Sequence, residues 1–270
     1  MADEPAENIS GGADGGGVDA EFAAGEASTR AEAVVDALGD LYWRKGYGGR
    51  DAFECLVRTV LSQNTSDVAS QPAHEALMER YDGDDLARTL ADADRSELAD
   101  VIRPAGLYNR KSEVITEIAA EVVDAFGGEA AFDEFVAEGD ADEVRARLLD
   151  FRGVGPKTAD CVLLFSGGRD GVFPVDTHVH RIARRMGLAP PDADHETVRQ
   201  RLEAAVPPEK CGFGHTATIQ FGREYCTAHR PACLDGPEAC PLYDRCDRVG
   251  VDERDGTVAD PASTVDGSSA

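Results

Sequence analysis

The segment Phe151-Arg152-Gly153-Val154-Gly155-Pro156-Lys157-Thr158-Ala159-Asp160 decides the fold of this chain. Residues 141–151 before the turn and 157–165 after it carry apolar side chains at helical spacing. Glycine tolerates positive φ, so Gly153 and Gly155 allow a tight turn, and Pro156 suits the first position of a helix because it lacks an N–H. The segment predicts two helices joined by a Gly-Val-Gly hairpin, whose outward amides can hold a phosphate.

Apolar periodicity predicts helices over most of the remaining chain, and strand signals are nearly absent. Ser28 is the expected cap of the first helix, and a weaker pattern marks 132–136. The other predicted helices cover 28–48, 50–62, 66–81, 84–90, 95–102, 109–126, 195–206 and 214–224, with one more opening at His178. We therefore expect an all-α fold with short connections between helices.

The composition bounds the possible functions. The chain has 270 residues, enough for one large or two small domains, and a formal net charge of −25, which at first disfavours a DNA-binding protein. Arginine supplies most of the 27 basic residues, and lysine occurs at four positions only. An acidic surface with so little lysine indicates adaptation to a salt-rich cytoplasm, as in a halophile. Between Val144 and Met186, eight basic residues outnumber four acidic ones, so this stretch is the least acidic.

The ends of the chain carry no structural pattern. Residues 1–27 and 247–270 are polar and acidic, and we expect both tails to be disordered. No apolar run reaches the length of a membrane span, and the N-terminus lacks the basic start and apolar core of a secretory signal. The expected location is the cytoplasm, with no membrane contact.

The seven cysteines fall into two groups. Cys55, Cys161 and Cys211 lie in apolar helical contexts and are expected in the core. The others crowd into a short C-terminal stretch, at Cys226, Cys233, Cys240 and Cys246. In a cytosolic chain, that density favours a metal site over disulfides.

Lys157 and Asp176 are the residues most suggestive of catalysis. A surface lysine is usually only a solvated charge, but here arginine has replaced most lysines. Arginine can hold a phosphate equally well, whereas only lysine can form a Schiff base, so its retention indicates amine chemistry. Asp176, in Val175-Asp176-Thr177-His178, is expected to cap the helix that follows it.

Five segments together resemble one family. Residues 61–67 (Leu-Ser-Gln-Asn-Thr-Ser-Asp), 106–109 (Gly-Leu-Tyr-Asn), 153–159 and 175–178 precede the cysteine cluster in the order seen in endonuclease III. That family belongs to the helix-hairpin-helix DNA glycosylases, and the resemblance extends over about residues 30–246. The hairpin alone would be equally consistent with a structural turn or a non-catalytic DNA-binding protein.

The resemblance implies roles for individual residues. Lys157 would attack C1′ of a damaged nucleotide, and Asp176 would stabilise the developing sugar cation and assist proton transfer. Either Gln63 or Asn64, together with Leu107, would fill the gap left by the flipped base. Alternatively, Gln63 and Asn64 only cap a helix and Leu107 is a core residue. The remaining expected DNA-binding residues are Gly153, Val154, Gly155, Thr158 and His178.

The resemblance also implies a 4Fe-4S cluster on Cys226, Cys233, Cys240 and Cys246. The family pattern is C-x6-C-x2-C-x5-C, whereas the middle spacing in this chain is longer by four residues. The extra residues can bulge outward as a surface turn at Gly236-Pro237. Zinc is the alternative, although zinc sites usually contain a short C-x2–4-C pair, which this stretch lacks.

The implied organisation is a helical barrel domain over 49–165 that ends in the hairpin, and a second domain that joins the helix at 28–48 to residues 166–246, with a DNA cleft between them. The implied activity is removal of oxidised pyrimidines and cleavage of the abasic site by a monomer acting on double-stranded DNA. The alternatives are a monofunctional glycosylase for mismatched or alkylated bases and a non-catalytic DNA-binding protein. The presence of both Lys157 and Asp176 favours an enzyme.

Overall fold

The computed structural model describes residues 20–42, 51–65, 67–81 and 83–264. The chain forms two compact units. We call the described residues between 51 and 169 the hairpin unit, and residues 20–42 with 170–264 the cysteine unit.

In the described residues of the hairpin unit, all regular secondary structure is helical. It includes one turn of 3₁₀ helix, Arg103–Ala105. The α-helices are α2 (Ala52–Ser62), α3 (Asp67–Arg80), α4 (Leu86–Ala91), α5 (Arg95–Val101), α6 (Tyr108–Phe126), α7 (Glu129–Glu138), α8 (Ala141–Asp150) and α9 (Pro156–Phe165). The predicted helix at 132–136 is therefore longer at both ends.

Helix α2 is central to the hairpin unit and packs against α3, α7 and α9. Its first amides, Ala52 N and Phe53 N, donate to Asp133 Oδ1 at 2.8 and 3.0 Å, so a side chain of α7 caps it. The Phe132 ring makes edge contacts with Phe53 at 6.4 Å and with Phe151 at 6.0 Å between centroids. Because Phe151 is the residue before the hairpin turn, this aromatic cluster fixes where the turn begins.

The cysteine unit contains α1 (Arg30–Leu38), α10 (Thr177–Met186), α11 (His195–Ala205) and α12 (Pro208–Glu224). Helix α12 begins before the predicted start at 214, because Pro208 occupies the first helical position. α10 and α12 pack together around Phe173, Ile182, Phe213 and Phe221, which are all at most 2% exposed. The cysteine-rich stretch forms three short 3₁₀ turns, Ala232–Asp235, Pro237–Ala239 and Tyr243–Arg245.

Residues 20–27 are ordered, so the expectation of disorder over 1–27 is wrong for this part. Residues 1–19 lie outside the described part of the chain. The Phe22 ring packs edge-on against Phe213, and Ala23 N donates to Asp36 Oδ2 at 3.1 Å. Helix α1 begins one residue later than Ser28 would have placed it, because Thr29 is the cap and accepts from Glu32 N. It ends at Leu38, so the predicted helix is wrong over residues 39–42, and its continuation over 43–48 falls outside the described residues.

The C-terminal segment is also ordered, so the disorder expected over 247–270 is wrong for 247–264; residues 265–270 are not described. Asp247 N and Val249 N donate to the carbonyl oxygens of Met186 and Arg185 at the end of α10. Strands β1 (Val251–Asp252) and β2 (Thr257–Val258) then form an antiparallel pair. A further turn, Pro261–Thr264, follows. Apart from this two-residue ladder, the regular structure of the described residues is helical.

Two other sequence predictions can be compared directly with the structure. Cys55, Cys161 and Cys211 are at most 3% exposed, which confirms them as core residues. Among the described residues, no helix is both long and apolar enough to cross a bilayer.

Candidate functional site

The hairpin has the predicted form of helix, turn and helix. α8 ends at Asp150, and α9 starts at Pro156 with Gly155 as its N-cap residue. Val154 N donates to Phe151 O at 3.1 Å within the turn, so this amide is already used. The helical ladder of α9 begins with Ala159 N donating to Gly155 O at 3.0 Å. The amides that can face a phosphate are therefore those between Val154 and Ala159, at the positive end of the α9 dipole.

The two glycines of the turn have different functions. Gly153 has φ of +82°, and a Cβ there would lie 3.0 Å from Val114 Cγ1, so the turn requires glycine. Gly155 has φ of −102° and ψ of 176°, a conformation open to any residue, and a Cβ there would meet nothing within 4 Å. The sequence interpretation that both glycines shape the turn is wrong for Gly155. Its missing side chain instead leaves the protein surface open at the start of α9.

Lys157 lies in the first turn of α9 and is partly exposed. Its amine lies close enough to Cys161, one turn further along the same helix, to act on the pKa of that thiol. Burial raises the pKa of the Cys161 thiol to about 11, against the opposing effect of the Lys157 charge. The lysine thus follows the hairpin turn directly and lies near the buried Cys161 thiol.

The basic residues between Val144 and Met186 do not form a free phosphate-binding surface. Arg145 Nε donates to the buried Asp160 at 2.6 Å and joins α8 to α9. The other arginines of this stretch are also engaged within the protein: Arg147 over the Phe151 ring, Arg152 with Glu113 and Glu117, Arg169 with Val136 O, Arg181 with Cys226 O, Arg184 with Asp260, and Arg185 with Thr227 O. The local excess of positive charge therefore serves mainly internal contacts.

Gln63 ties the loop after α2 to the hairpin. Its Nε2 donates to Gly153 O at 3.0 Å and to Thr158 Oγ1 at 3.2 Å. Thr158 and Val154 are only 4% and 7% exposed, so neither side chain presents much surface to a ligand. These three residues hold the turn in place, and the hairpin contributes its backbone rather than these side chains.

Asn64 and Leu107 share an unusual conformation. In the described part of the chain, the non-glycine residues with positive φ are Asn64 at 52°, Leu107 at 49° and Arg248 at 55°. Asn64 is exposed, and Leu107 is 56% exposed; among the other large apolar side chains that the structure describes, only Val68 is also exposed. A left-handed leucine costs about 1–2 kcal/mol, and such strain is typical of functional positions. Leu107 is therefore not a core residue, and of the two wedge candidates Asn64 projects outward whereas Gln63 is tethered.

Lys111 connects the two loops that carry these residues. We name residues 62–65 the Asn64 loop and residues 105–107 the Leu107 loop. Lys111 is 3% exposed, and its Nζ donates to Leu61 O at 2.7 Å, Thr65 Oγ1 at 2.8 Å and Ala105 O at 2.8 Å. Sequence reasoning did not identify this residue, although its scarcity as one of four lysines was an available signal.

Asp176 caps α10 as predicted. Its Oδ1 accepts from Val179 N at 2.8 Å, and its backbone is extended at φ of −93°. The cap uses one carboxylate oxygen, and the side chain is partly exposed. The cap bond therefore leaves the second carboxylate oxygen unused.

His178 packs within the cysteine unit. Its Nδ1 accepts from Arg181 Nη2 at 3.3 Å, and a Cβ on Gly222 of α12 would approach that nitrogen to 2.7 Å. Burial lowers the pKa of His178 below its ordinary value, with a smaller opposing effect from Asp176. Gly222 therefore makes room for the imidazole ring, which is partly exposed.

The four C-terminal cysteines lie in one region as free thiols, Cys226 and Cys233 buried and Cys240 and Cys246 partly buried. Burial raises the pKa of Cys233 and of Cys246 to about 11, and the neighbouring cysteines add to both shifts. The residues inserted between Cys233 and Cys240 form 3₁₀ turns around Gly236, whose φ is +108°, and Pro237 is exposed. The insertion is thus accommodated as a surface turn.

Hydrogen-bond donors converge on this thiol group. Arg185, only 2% exposed, donates from Nη1 to Cys226 Sγ at 3.3 Å, and Arg248 N donates to Cys246 Sγ at 3.3 Å. Within the described ranges, no three candidate ligands lie close enough to hold a metal ion. The buried cation and amide donor nevertheless suit thiolates better than neutral thiols, so the donor set fits a cationic metal group chemically.

Comparison with known proteins identifies the family. The sequence model of the family "HhH-GPD superfamily base excision DNA repair protein" matches residues 57–208 of this chain. Endonuclease III of Thermotoga maritima is 34% identical over 73% of this chain and 83% of its own length. Endonuclease III of Bacillus subtilis is 30% identical over 80% of this chain and 90% of its own.

Solved structures give the same result. A trapped endonuclease III–DNA covalent intermediate matches with a TM-score of 0.62 and 31% identity, over 75% of this chain and 86% of that one. A thermostable thymine-DNA glycosylase shares the fold, with a TM-score of 0.66 at 21% identity, over 81% of this chain and 96% of that one. From the hairpin, the matched family and the extent of these similarities, we conclude that the chain belongs to the HhH-GPD superfamily of base excision DNA repair proteins and is a DNA glycosylase related to endonuclease III.

Proposed function

We propose that the protein is a bifunctional DNA glycosylase and abasic-site lyase that acts through a Schiff base at Lys157. The observation that carries this proposal is the position of Lys157 in the first turn of α9, directly after the hairpin amides. A hairpin that holds the phosphate backbone would bring C1′ of the adjoining nucleotide to the amine. The similarity to a protein trapped as a covalent intermediate with DNA supports the same chemistry.

The reaction is a displacement followed by an elimination. The neutral amine of Lys157 attacks C1′, the bond to the base breaks, and the base leaves with the electron pair and takes up a proton. Opening of the sugar ring gives an iminium, which makes the C2′ proton acidic. Removal of that proton breaks the C3′–O bond and cuts the strand on the 3′ side, and water then releases the lysine.

Asp176 is the proposed acid–base group. Because its cap bond uses only Oδ1, the carboxylate stays oriented while it stabilises the sugar cation and exchanges protons with Lys157. Asn64 and Leu107 are the proposed wedge, and their exposure and left-handed backbone support that role. The hairpin backbone at Gly153 and Gly155 would hold the phosphate, with Val154, Thr158 and Gln63 as its support. His178, partly exposed in the first turn of α10, would contribute a DNA contact.

The proposed substrate is an oxidised pyrimidine in double-stranded DNA, bound by a monomer in a salt-rich cytoplasm. A mismatched or alkylated base is the alternative substrate within the superfamily. The hairpin is compatible with either substrate, whereas the presence of Lys157 favours the Schiff-base enzyme over a monofunctional one. Three duplexes distinguish these possibilities: one with an oxidised pyrimidine, one with a thymine opposite guanine and one with an alkylated purine. We expect strand cleavage only in the duplex with the oxidised pyrimidine.

The proposed cofactor is a 4Fe-4S cluster held by Cys226, Cys233, Cys240 and Cys246. When bound, such a cluster would cross-link the end of the chain and need take no part in base removal. Arg185 and Arg248 would stabilise the thiolate charge through the hydrogen bonds to Cys226 and Cys246. Iron, sulfide and zinc analysis of anaerobically purified protein tests this proposal. Zinc in place of iron and sulfide would contradict it.

Borohydride trapping on a duplex with one abasic site tests the proposed chemistry. We expect the parent protein in high KCl to give a covalent adduct and Lys157→Gln to give none. Lys45→Gln, which removes another of the four lysines, is the matched control and should give the adduct. A folded parent that binds the duplex without forming an adduct would exclude the lyase mechanism and favour a monofunctional glycosylase.

A further inference from the structure

We infer that Lys111 is a positioning residue that locks the Asn64 loop to the Leu107 loop, so that both wedge side chains enter a damaged duplex as one rigid element. The inference rests on the proposed function, because it concerns loops whose purpose is to fill the space of a flipped base. It goes further, since it assigns a specific role to a buried lysine that lies outside the hairpin and does not touch the reacting atoms.

The hydrogen bonds of Lys111 match its chemistry completely. A protonated amine has three donor hydrogens, and Nζ has three acceptors, Leu61 O, Thr65 Oγ1 and Ala105 O, all within 2.8 Å. Leu61 O lies just before the Asn64 loop, and Thr65 Oγ1 lies at its end. Ala105 O lies at the start of the Leu107 loop. The Thr65 hydroxyl also hydrogen-bonds directly to Ala105 O, so the two loops are joined by a closed set of bonds.

The environment of Lys111 makes this arrangement costly to maintain. Its side chain is 3% exposed, and the three acceptors carry no formal charge. Burial lowers the pKa of Lys111 from 10.5 to about 8, which reports the penalty on its charged form. An apolar side chain would avoid that penalty, but it could not bond three oxygens from two different loops.

The residues held by this arrangement are those under backbone strain. Asn64 and Leu107 both have positive φ, and such conformations persist only where surrounding contacts enforce them. Lys111 contacts the Leu107 loop a second time, because its own amide donates to Leu107 O at 2.9 Å. Thr65, the other member of the network, follows Asn64 directly. The network therefore supports both strained positions from their immediate neighbours.

Lys111→Met tests the inference with two abasic substrates. In a duplex the wedge must open the stack, whereas in a single strand there is no partner base to separate. We expect the rate of adduct formation to fall about tenfold on the duplex and to stay within about twofold on the single strand. Arg95→Gln, which removes an exposed charge from the same unit, should match the parent on both. An equal loss on both substrates, or no loss on either, would overturn the inference.

Thr65→Val and Thr65→Ser provide a test if Lys111→Met does not fold. Valine keeps the shape of threonine and removes the hydroxyl, whereas serine keeps the hydroxyl. We expect the selective loss on duplex with valine and its rescue with serine.

Amide hydrogen exchange without DNA separates this inference from the proposed function. Thr65→Val should speed exchange in the Asn64 and Leu107 loops more than at the hairpin amides, whatever reaction the protein catalyses. Unchanged exchange in both loops would overturn the inference even if Lys157 proves to be the nucleophile. Absence of any adduct from the parent would instead reject the proposed function alone.

Discussion

Gln63 Nε2 donates to the carbonyl oxygen of Gly153 at 3.0 Å, across 90 residues of sequence. This bond joins the Asn64 loop to the turn that precedes Lys157. Because the same amide also reaches Thr158 Oγ1, the loop is tied to both sides of the hairpin turn. The proposed wedge and the proposed nucleophile therefore belong to one bonded framework within the hairpin unit.

Replacing Gln63 by glutamate should break this framework. Glutamate has nearly the same shape, but its carboxylate cannot donate to Gly153 O and would repel it. We expect a loss of about 1 kcal/mol in the free energy of binding to an abasic duplex, or about fivefold in affinity, with little change in thermal stability. Titration of a fluorescent duplex measures the change. Unaltered affinity would show that the tether does not shape the DNA-binding surface.

Alanine substitutions at the two hairpin glycines should separate folding from binding. Gly153→Ala places a side chain at positive φ against Val114 and should lower the free energy of unfolding by about 1–2 kcal/mol. Gly155→Ala should leave stability within about 0.5 kcal/mol and weaken DNA binding, because its methyl group would project from the surface where the phosphate approaches. Denaturant unfolding and duplex titration measure the two effects. Equal destabilisation by both substitutions would contradict this assignment.

Asparagine and alanine at position 176 should separate the cap from the chemistry. Asparagine caps helices as well as aspartate, so Asp176→Asn should keep the stability of the parent while the reaction slows by about 10²-fold or more. Asp176→Ala should lose the activity and about 1 kcal/mol of stability, because Val179 N loses its acceptor. Single-turnover rates and denaturant unfolding test the pair. Full activity of Asp176→Asn would remove the catalytic role.

Lys111 should make stability depend on pH in the alkaline range. Its pKa is about 8 in the folded protein and 10.5 ordinarily, so between these values the unfolded chain binds a proton that the folded chain does not. The free energy of unfolding should therefore rise with pH, by up to about 3 kcal/mol from this residue, because the penalty of the buried charge disappears. The difference between the parent and Lys111→Met isolates this contribution, since other groups cancel. A difference that does not change between pH 7 and 10 would contradict the lowered pKa.

DNA binding should respond only weakly to salt. The arginines around the hairpin are engaged within the protein, so few counterions would be released from the DNA on binding. We expect the folded enzyme to retain activity in about 1 M KCl, where charges are screened beyond about 3 Å. Rates of strand cleavage over a range of KCl concentrations, with folding followed in parallel, test this. Activity that peaks at low salt and collapses at high salt in a folded protein would reject it.

Local sequence signals predicted the parts of this protein that are held by local contacts. The hairpin helices, the cap at Asp176 and the buried Cys55, Cys161 and Cys211 all follow from periodicity or from short-range hydrogen bonds. The resemblance to endonuclease III, based on short segments in order, led to the family that the comparisons identify.

The local sequence signals could not predict contacts between residues that are far apart in the sequence. Lys111 acquires its importance from oxygens at positions 61, 65 and 105, and nothing in its own neighbourhood of sequence marks it. The order of residues 20–27 depends on Phe213, far along the chain, and that of residues 247–264 depends on the end of α10. The prediction for Gly155 was wrong because glycine near a turn usually indicates positive φ. In this turn Gly155 has negative φ, and its lack of a side chain leaves open space at the protein surface.

The ordered C-terminal segment has a practical consequence for protein engineering. Sequence alone would suggest trimming the chain after Cys246, since everything beyond it looks dispensable. Such trimming would remove Asp260, the carboxylate that pairs with Arg184, whose side chain is only 8% exposed. It would also remove Val249, whose amide bonds to α10, the helix that Asp176 opens. A shortened protein would thus lack the carboxylate partner of a nearly buried guanidinium, so crystallisation variants should keep the chain at least through residue 264.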